Sequence, residues 1–471
     1  MKNININFLI ILIAILIFSS CKKELNIYPT TSEVDGQVIV DQKSAQTVLN
    51  GIYYRLANVG KDFNNVPTVQ WSIVNEDLPS ALCGTLTYTS RPWNPSSFKP
   101  DYYGADFQWV YGYNIINAAN GFIKNISPVT NIPSDIKREM LAEAMFLRAF
   151  ANTQLLLYYG QFYDISSKYG IILRDQFVAS ENINLARSTV AQCYDAILND
   201  LNTAIADLPP LNSQVYYANA SAAKLLKARV LINRGSAGDY STVINLTNDI
   251  ITNGPFALED STKDLFLSKG FSSKEVILGI QPYPNQIYKF KYNQNFLSYP
   301  VTDTLVGFLK NDPRNQWVYK TVNNYGRFVN QFTKYYSGNP IRGAQTPLSE
   351  YCYAFRLTEA YLLEAEAISL SNGNLVTAKT LLEKVLSHAG VMDFTTIENI
   401  TSPAELQVAI VKEEMKNFVG ENGADWFALR RLPISTIKTI QPLLTTVDRY
   451  ILPIPLAEKT QNGNIIQNPG Y

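Results

Sequence analysis

The chain has 471 residues, of which 46% are hydrophobic and 17% are charged, so it can bury a large core. Its 40 basic residues balance 40 acidic ones, which argues against nucleic-acid binding, because such binding relies on a cationic face. It has one histidine, His388, which argues against histidine-based triads and multi-histidine zinc sites. Aromatic residues make up 12% of the chain, and they are its most distinctive chemical resource.

The first 20 residues have the pattern of a secretory signal. Lys2 gives a basic start, an apolar run covers 8–18, and the small residues Ser19 and Ser20 precede Cys21. The run is about half the roughly 20 residues that a spanning helix needs. The position of Cys21 resembles that in a bacterial lipoprotein signal, in which the cysteine is acylated and becomes the new N-terminus. An ordinary cleaved signal with a chance cysteine is the alternative.

Three further cysteines, Cys83, Cys193 and Cys352, lie far apart and form no CxxC pair. This spacing excludes a small domain held together by several disulfides, and it leaves one bridge as an alternative to free thiols. We expect buried free thiols.

Most of the remaining chain has the apolar spacing of amphipathic helices, with steps of three and four residues. Thr189 and Gln192 form a candidate capping box at the start of a helix, and Pro209 ends the same helix. Helices are predicted over 135–158, 190–208, 221–233, 241–252, 353–370 and 375–387. Pairs of about 34–38 residues with alanine at close-packing positions resemble tetratricopeptide units.

Two stretches, 60–110 and 255–350, lack a sustained helical period and contain many Pro, Gly, Asn and aromatic residues. A short strand is expected over 275–280. The predicted fold class is therefore mainly α: a tetratricopeptide-like helical-repeat scaffold with a second, irregular subdomain of long loops and a few short strands. Loops of this length in a compact protein are usually functional.

Several strings resemble the SusD/RagB lipoproteins of Bacteroidetes, in the same order over nearly the whole chain. They are LNIYP at 25–29, AEAMFLRA at 142–149, ARSTV at 186–190, RLTEAYLLEAEA at 356–367, LPIP at 452–455 and QNPGY at 467–471. One string, WFALRR at 426–431, departs from the family pattern at Ala428 and at the preceding Asp425, which puts a local ion pair in doubt.

The resemblance implies a non-catalytic, lipid-anchored protein of the cell outer membrane that faces the exterior. Such proteins hold oligosaccharide or peptide nutrients and cap a TonB-dependent transporter barrel, and no cofactor is expected. The implied organisation is a signal peptide over 1–20, an N-terminal helical region over 21–255 with the aromatic loop 60–110, an irregular aromatic-rich insertion over 256–349, and a C-terminal region over 350–471 with a helix pair and a tail.

The two irregular stretches supply the groups that sugar binding needs. Flat aromatic faces stack on C–H groups, and planar polar side chains bind hydroxyls. Trp93 is expected to be exposed, because Pro92 and Pro95 hold its segment extended, whereas Trp109 is expected in the core. For any one aromatic side chain, ordinary packing is the alternative. The candidate ligand-binding residues are Trp71, Trp93, Asn94, Tyr283, Tyr288 and Trp317.

A surface glycosidase and a helical adaptor that binds only proteins remain as alternatives. Glu413 and Glu414 are adjacent in the sequence, and adjacent residues on a helix do not face each other, so they form a poor acid–base pair. Glu76 and Asp77 precede an aromatic loop and are the only carboxylate pair that we retain as a catalytic candidate. His388 at a helix end is interpreted as structural.

Overall fold

The computed structural model describes residues 38–57, 59–61, 67–69, 71–281, 286–336 and 347–471. The predicted signal, Cys21 and Tyr283 lie outside these ranges. Among the described helices, none is both long and apolar enough to cross a membrane.

The scaffold is an array of helices in which each long helix packs against the next one in the sequence. The long helices are Gln42–Leu56, Phe107–Ile126, Ser134–Tyr159, Val190–Asp207, Ala220–Arg234, Asp239–Asn253, Leu357–Leu370, Leu375–His388 and Pro403–Phe418. Shorter helices are Leu78–Cys83, Asp303–Phe308, Ala424–Leu429, Ile434–Ile440 and Leu456–Gln461. The prediction of a mainly helical repeat scaffold with a second subdomain is confirmed.

Local sequence explains where several of these helices begin. The Thr189 hydroxyl accepts the N–H of Gln192 at 3.2 Å, and the Gln192 side chain accepts the N–H of Thr189 at 2.9 Å, which confirms the predicted capping box. Asn219 caps the Ala220–Arg234 helix through the N–H of Ala222 at 2.9 Å. This helix is buried on nearly all sides, as its Ala- and Leu-rich sequence predicts.

Residues 254–356 form an irregular excursion between two helices of the array, Asp239–Asn253 and Leu357–Leu370. The Asp239–Asn253 helix packs directly on Leu357–Leu370, so the array continues across this excursion. Arg229 links the Ala220–Arg234 helix to Glu359 on the Leu357–Leu370 helix. Its buried guanidinium donates two parallel hydrogen bonds, of 2.7 and 2.8 Å, to the Glu359 carboxylate. The rigid helical part therefore fixes both ends of the irregular excursion.

The excursion contains short antiparallel strand pairs. The Val276–Ile280 strand, predicted over 275–280, pairs with Cys352–Arg356. A hairpin pairs Tyr319–Asn324 with Arg327–Phe332, and its turn residues Tyr325 and Gly326 both have positive φ, as a tight hairpin turn requires. A further pair, Val59–Lys61 with Pro67–Val69, lies in the first irregular stretch.

Two secondary-structure predictions are wrong. The helix predicted to start at Tyr353 starts at Leu357, because residues 352–356 form a fully buried strand. A short apolar run does not distinguish a buried strand from a buried helix by periodicity alone. The stretch predicted to be irregular from residue 60 contains a π-helix, Ser72–Asp77, that runs into Leu78–Cys83. This segment is buried almost all round, so it shows no amphipathic period.

The three cysteines of the described chain, Cys83, Cys193 and Cys352, are buried free thiols, as expected from their spacing.

Candidate functional site

The structure brings the two irregular stretches together by backbone pairing. Thr87 and Thr89 donate their N–H groups to the carbonyls of Pro300 and Ser298, at 3.0 and 2.9 Å. Leu86 and Val301 form a β-bridge next to the first of these hydrogen bonds. Backbone hydrogen bonds fix the relative position of both segments, and aromatic side chains from the two segments pack together.

An aromatic cluster spans this junction. Its members are Tyr88, Trp93, Tyr103, Phe107, Tyr288, Tyr292, Phe296 and Tyr299. Tyr88 stacks on Tyr299 with ring centroids 5.1 Å apart and planes at 19°, and Trp93 stacks on Tyr103 at 6.4 Å and 22°. Offset and tilted ring pairs at these distances are favourable, so the cluster is a stable hydrophobic layer.

Two rings of the cluster face solvent. Tyr103 is 46% exposed and stacks on Trp93, which is 3% exposed, and Phe296 is 55% exposed and lies edge-on against the half-buried Tyr292. The exposed Arg91 lies beside the Tyr103 ring, with its guanidinium carbon 4.8 Å from the ring centroid. The surface therefore offers flat rings and a multivalent hydrogen-bond donor, supported by buried rings.

Trp71 and Trp317 are not part of this cluster. Trp71 is fully buried, stacks on Phe150 at 5.8 Å and donates its indole N–H to the carbonyl of Glu421 at 3.3 Å. Its prediction as a ligand-binding ring is corrected: as folded, no face of Trp71 is open. Trp317 is half-buried and stacks on Phe266 at 6.1 Å, in another group of rings.

The exposure predicted for Trp93 is wrong. The extended segment between the two prolines turns its indole inward, onto Tyr88 at 4.5 Å and Tyr299 at 6.0 Å. The indole Nε1 is buried and has no hydrogen-bond partner among the described residues. Asn94 uses its side-chain oxygen within its own loop, where it accepts the N–H groups of Ser96 and Ser97, both at 3.1 Å.

Tyr288 is also buried, and it supports the cluster from below. Its hydroxyl lies 3.3 Å from that of Tyr299, and its ring lies 4.7 Å from that of Tyr292. Trp109, expected in the core, is buried. Phe296 and Tyr299 were not among the sequence candidates. The spacing of Tyr288, Tyr292 and Phe296 by four residues, which places side chains on one helical face, is the signal that finds Phe296.

Buried charged groups lie beneath the aromatic cluster. Lys289 donates its ammonium to the carbonyl of Tyr351 at 2.6 Å and pairs with the Glu76 carboxylate at 3.1 Å. Glu350 accepts the backbone N–H groups of Lys289 and Phe290, at 3.1 and 2.8 Å. Asp77 is beside Glu76, and its carboxyl is hydrogen-bonded to the Tyr288 hydroxyl.

Burial controls the protonation of these carboxyl groups. It raises the pKa of Glu350 to about 7, against the lowering effect of the two backbone N–H groups. Burial and the neighbouring Glu76 raise the pKa of Asp77 well above its ordinary value, and burial also raises the pKa of Glu76. The Glu76–Asp77 pair retained as a catalytic candidate is thus buried, and Glu76 is paired with Lys289.

His388 has a structural environment. Its Nε2 lies 2.9 Å from the Glu275 carboxylate and its Nδ1 lies 2.7 Å from the carbonyl of Glu259, both in the interior. Glu413 pairs with Arg314 at 2.7 Å and Glu414 with Arg431 at 2.8 Å, so both belong to buried ion pairs. Within the described ranges, no group of three or more His, Cys, Asp or Glu side chains is arranged to hold a metal ion.

Comparison with protein families defines the class of this protein. A family model described as starch-binding and associating with the outer membrane matches residues 33–232, and a model of the SusD family matches residues 283–441. The chain belongs to the SusD/RagB family. A comparison with curated proteins gives no match.

Solved structures share the whole fold. A SusD superfamily protein from Bacteroides thetaiotaomicron is 22% identical, with a TM-score of 0.71 over 91% of this chain and 100% of that one. The B. fragilis protein NanU is 18% identical, with a TM-score of 0.74 over 94% and 100%. A laminarin-binding SusD-like protein is 19% identical, with a TM-score of 0.69 over 92% and 100%. At these identities the likeness establishes the fold.

Proposed function

We propose that this chain binds oligosaccharide nutrients, or peptides, at the aromatic cluster and releases them unchanged to a transporter. The observation that carries the proposal is an aromatic cluster at the junction of the two irregular stretches that presents two exposed rings, Tyr103 against the buried Trp93 and Phe296 against the half-buried Tyr292. Aromatic faces are the surfaces on which the C–H groups of a sugar ring pack. The rigid helical scaffold reduces the ordering cost of binding.

The family supports a carbohydrate ligand. Its model is described as starch-binding, and one structural neighbour is named as laminarin-binding. Two exposed rings that each contribute on the order of 1 kcal/mol supply only part of the roughly 4 kcal/mol that millimolar binding requires, so hydrogen bonds from groups such as Arg91 supply the rest and the affinity is modest. Modest affinity suits a capture site, because the ligand must be released again for import.

The proposal includes a location and a partner. We propose that acylated Cys21 anchors the mature chain on the outer face of the outer membrane. We also propose that a TonB-dependent barrel of the SusC type receives the ligand. The support is the sequence pattern around Cys21 and the outer-membrane association in the description of the family.

Two other functions make different predictions. A glycosidase would release new reducing ends from a polysaccharide, whereas a binding protein leaves the polymer intact. An adaptor that binds only proteins would show no saturable change in tryptophan fluorescence with any glycan. The buried position of Glu76 and Asp77 favours binding over hydrolysis.

The experiment is a binding screen with purified mature protein. Laminarin, starch, their oligosaccharides and mixed peptides are titrated one at a time by isothermal calorimetry, and each mixture is afterwards analysed by chromatography. We expect saturable binding of one chemical class and an unchanged ligand. New, shorter oligosaccharides would identify an enzyme, and binding to none of these ligands or to other soluble glycans would reject the proposed function.

A further inference from the structure

A groove with a volume of about 710 Å³ lies between the first two long helices, Gln42–Leu56 and Phe107–Ile126. Gly51, Ala118 and Gly121 belong to its lining, and residues this small let another chain come close to the helix backbones. A Cβ added at Gly51 would have no described atom within 4 Å. The groove therefore has space above its glycines for a further side chain.

Aromatic and aliphatic side chains make up much of the groove lining. Tyr54 is 49% exposed and Phe177 is 40% exposed, although both belong to this lining. Val48, Ile52 and Phe122 add aliphatic and aromatic carbon to the same surface. An exposed apolar surface that is gathered in one place, rather than scattered, is typical of a contact site.

Val38, the first described residue, lies in this groove and is half-buried. Asp41 then caps the Gln42–Leu56 helix by accepting a backbone N–H in its first turn. Asn131 donates its side-chain amide to the carbonyl of Val40 at 2.9 Å. These contacts hold residue 38 in place, so the chain that precedes it starts from inside the groove.

The length of the groove corresponds to a short extended peptide. Val38 and Asn125 line one end of it, and Arg55 lines the other beside Tyr111, whose hydroxyl donates to the carbonyl of the last residue of the neighbouring helix at 2.7 Å. A helix rises about 21 Å from position 111 to position 125. An extended chain covers that distance in about six or seven residues. Starting from Val38, these are residues 31–37.

Residues 31–37, with the sequence TSEVDGQ, lie outside the described ranges. Val34, the one aliphatic residue among them, stands midway and is flanked by Glu33 and Asp35. Successive side chains of an extended chain point to opposite sides. If Val34 points to the floor of the groove, the two carboxylates point to its rim.

Cations lie at the rim where these carboxylates would be. Arg55 is exposed, and it is the one charged side chain among the described residues of the lining. Lys124 is near the other end, with its ammonium 6.0 Å from the centre of the Phe177 ring. Opposite charge across a contact selects its partner, so this groove favours an acidic segment with one aliphatic side chain over a neutral glycan.

We propose that residues 31–37 bind along this groove in an extended form, with Val34 above Gly51 and Ala118. The preceding chain then leaves the body of the protein at the Arg55 end instead of at Val38. The whole stretch from residue 21 to residue 38 could reach roughly 55–60 Å, and the part left free by this contact reaches roughly 35 Å. The contact therefore shortens the tether and fixes the point from which it starts.

The effect on the distance from the membrane rests on the proposed acylation of Cys21, whereas the contact itself does not. Photocrosslinking tests the contact on the complete mature chain in detergent, without any ligand. Phe177 is replaced by the photoreactive amino acid p-benzoylphenylalanine, and in the control the same replacement is made at Tyr325, which is 87% exposed on a hairpin turn. After illumination and digestion with trypsin, mass spectrometry identifies the crosslinked residues.

We expect position 177 to crosslink to residues 31–37, and position 325 not to do so. A mixture of isotope-labelled and unlabelled chains distinguishes a crosslink within one chain from a crosslink between two copies. Absence of the crosslink from position 177 to residues 31–37 would overturn the proposal. A crosslink formed only between two copies, or equal crosslinking from position 325, would also overturn it.

Two substitutions at one position make the assignment specific. Val34→Asp would place an unpaired carboxylate against the floor of the groove, so we expect the yield of the crosslink to fall by roughly tenfold or more. Val34→Ile is the matched control and should keep the yield, because it keeps an aliphatic side chain there. An unchanged yield in Val34→Asp, or an equal loss in Val34→Ile, would contradict the proposal. Neither measurement involves ligand binding, so failure here is distinct from failure of the proposed function.

Discussion

The indole ring of Trp93 lies 6.0 Å from the ring of Tyr299, although the two residues belong to separate irregular stretches of the chain. This contact joins the aromatic residues of the first stretch to those of the second. The candidate binding surface is therefore a product of tertiary structure, and its buried and exposed rings have different roles. Buried rings hold the two stretches together, and exposed rings are available to a ligand.

We expect Trp93→Ala to destabilise the protein. The indole is 3% exposed and contacts four other rings, so its removal leaves a cavity and should lower the free energy of unfolding by about 3–5 kcal/mol. Urea unfolding followed by circular dichroism measures this change. Tyr103→Ala, at an exposed ring of the same cluster, is the control and should cost less than about 1 kcal/mol. Equal midpoints for Trp93→Ala and the native chain would show that the indole does not support the fold.

The helical array could be predicted from the sequence, and the burial of Trp93 could not. Apolar residues spaced by three and four are a local signal, and the Thr189–Gln192 capping box is contained within four residues. The burial of a ring in an irregular segment depends on partners far away in the sequence, such as Tyr299. Pro92 and Pro95 keep the backbone extended, but they do not determine which side of it faces the core. The same limit applies to Trp71, whose indole binds a carbonyl of a distant loop.

We expect the protein to lose stability at acid pH as the Glu275 carboxylate becomes protonated. Burial opposes its ionisation, but hydrogen bonds from His388, Arg356 and Thr358 prevail and lower the pKa of Glu275 to about 2. A lowered pKa contributes stability that is complete above the ordinary value near 4.5 and is lost as the pH falls toward 2. Glu275→Gln should thus be less stable than the native chain by about 3 kcal/mol at pH 7.

The difference in unfolding free energy between these two proteins should shrink as the pH falls below about 4.5. Urea titrations at pH 7, 5, 4 and 3 measure it, with Asp101→Asn, at an exposed carboxylate, as the control. A difference that stays constant over this range would show that the Glu275 carboxylate does not carry the effect.

We expect Cys21 to be the site of lipid attachment. Replacement of Cys21 by serine removes the sulfur that would be acylated, and stable membrane attachment requires more than one acyl chain. Fractionation of cells should therefore show the variant outside the membrane fraction. Cys83→Ser, at a buried thiol, is the control and should leave fractionation unchanged. Retention of the Cys21→Ser variant with membranes would argue against this anchor.

We expect the protein to copurify with a transporter barrel. A binding protein held by lipid alone has no path for its ligand across the membrane, so it depends on a partner for import. A pull-down of the tagged chain from native membranes in mild detergent should recover a TonB-dependent barrel. Recovery of the chain alone, in preparations that keep other outer-membrane complexes intact, would count against the partnership.

The most direct test of the account compares ligand affinity among three variants of similarly exposed aromatic residues. Tyr103→Ala and Phe296→Ala remove the exposed rings of the aromatic cluster, whereas Phe177→Ala removes a 40% exposed ring elsewhere on the protein. Isothermal calorimetry is performed with the glycan or peptide that binds the native chain. We predict that each of the first two variants loses about 1 kcal/mol of binding free energy, or roughly fivefold in Kd, while its unfolding midpoint is kept. Phe177→Ala should bind the ligand as the native chain does. Native affinity in both Tyr103→Ala and Phe296→Ala would contradict the proposal that the aromatic cluster is the binding site.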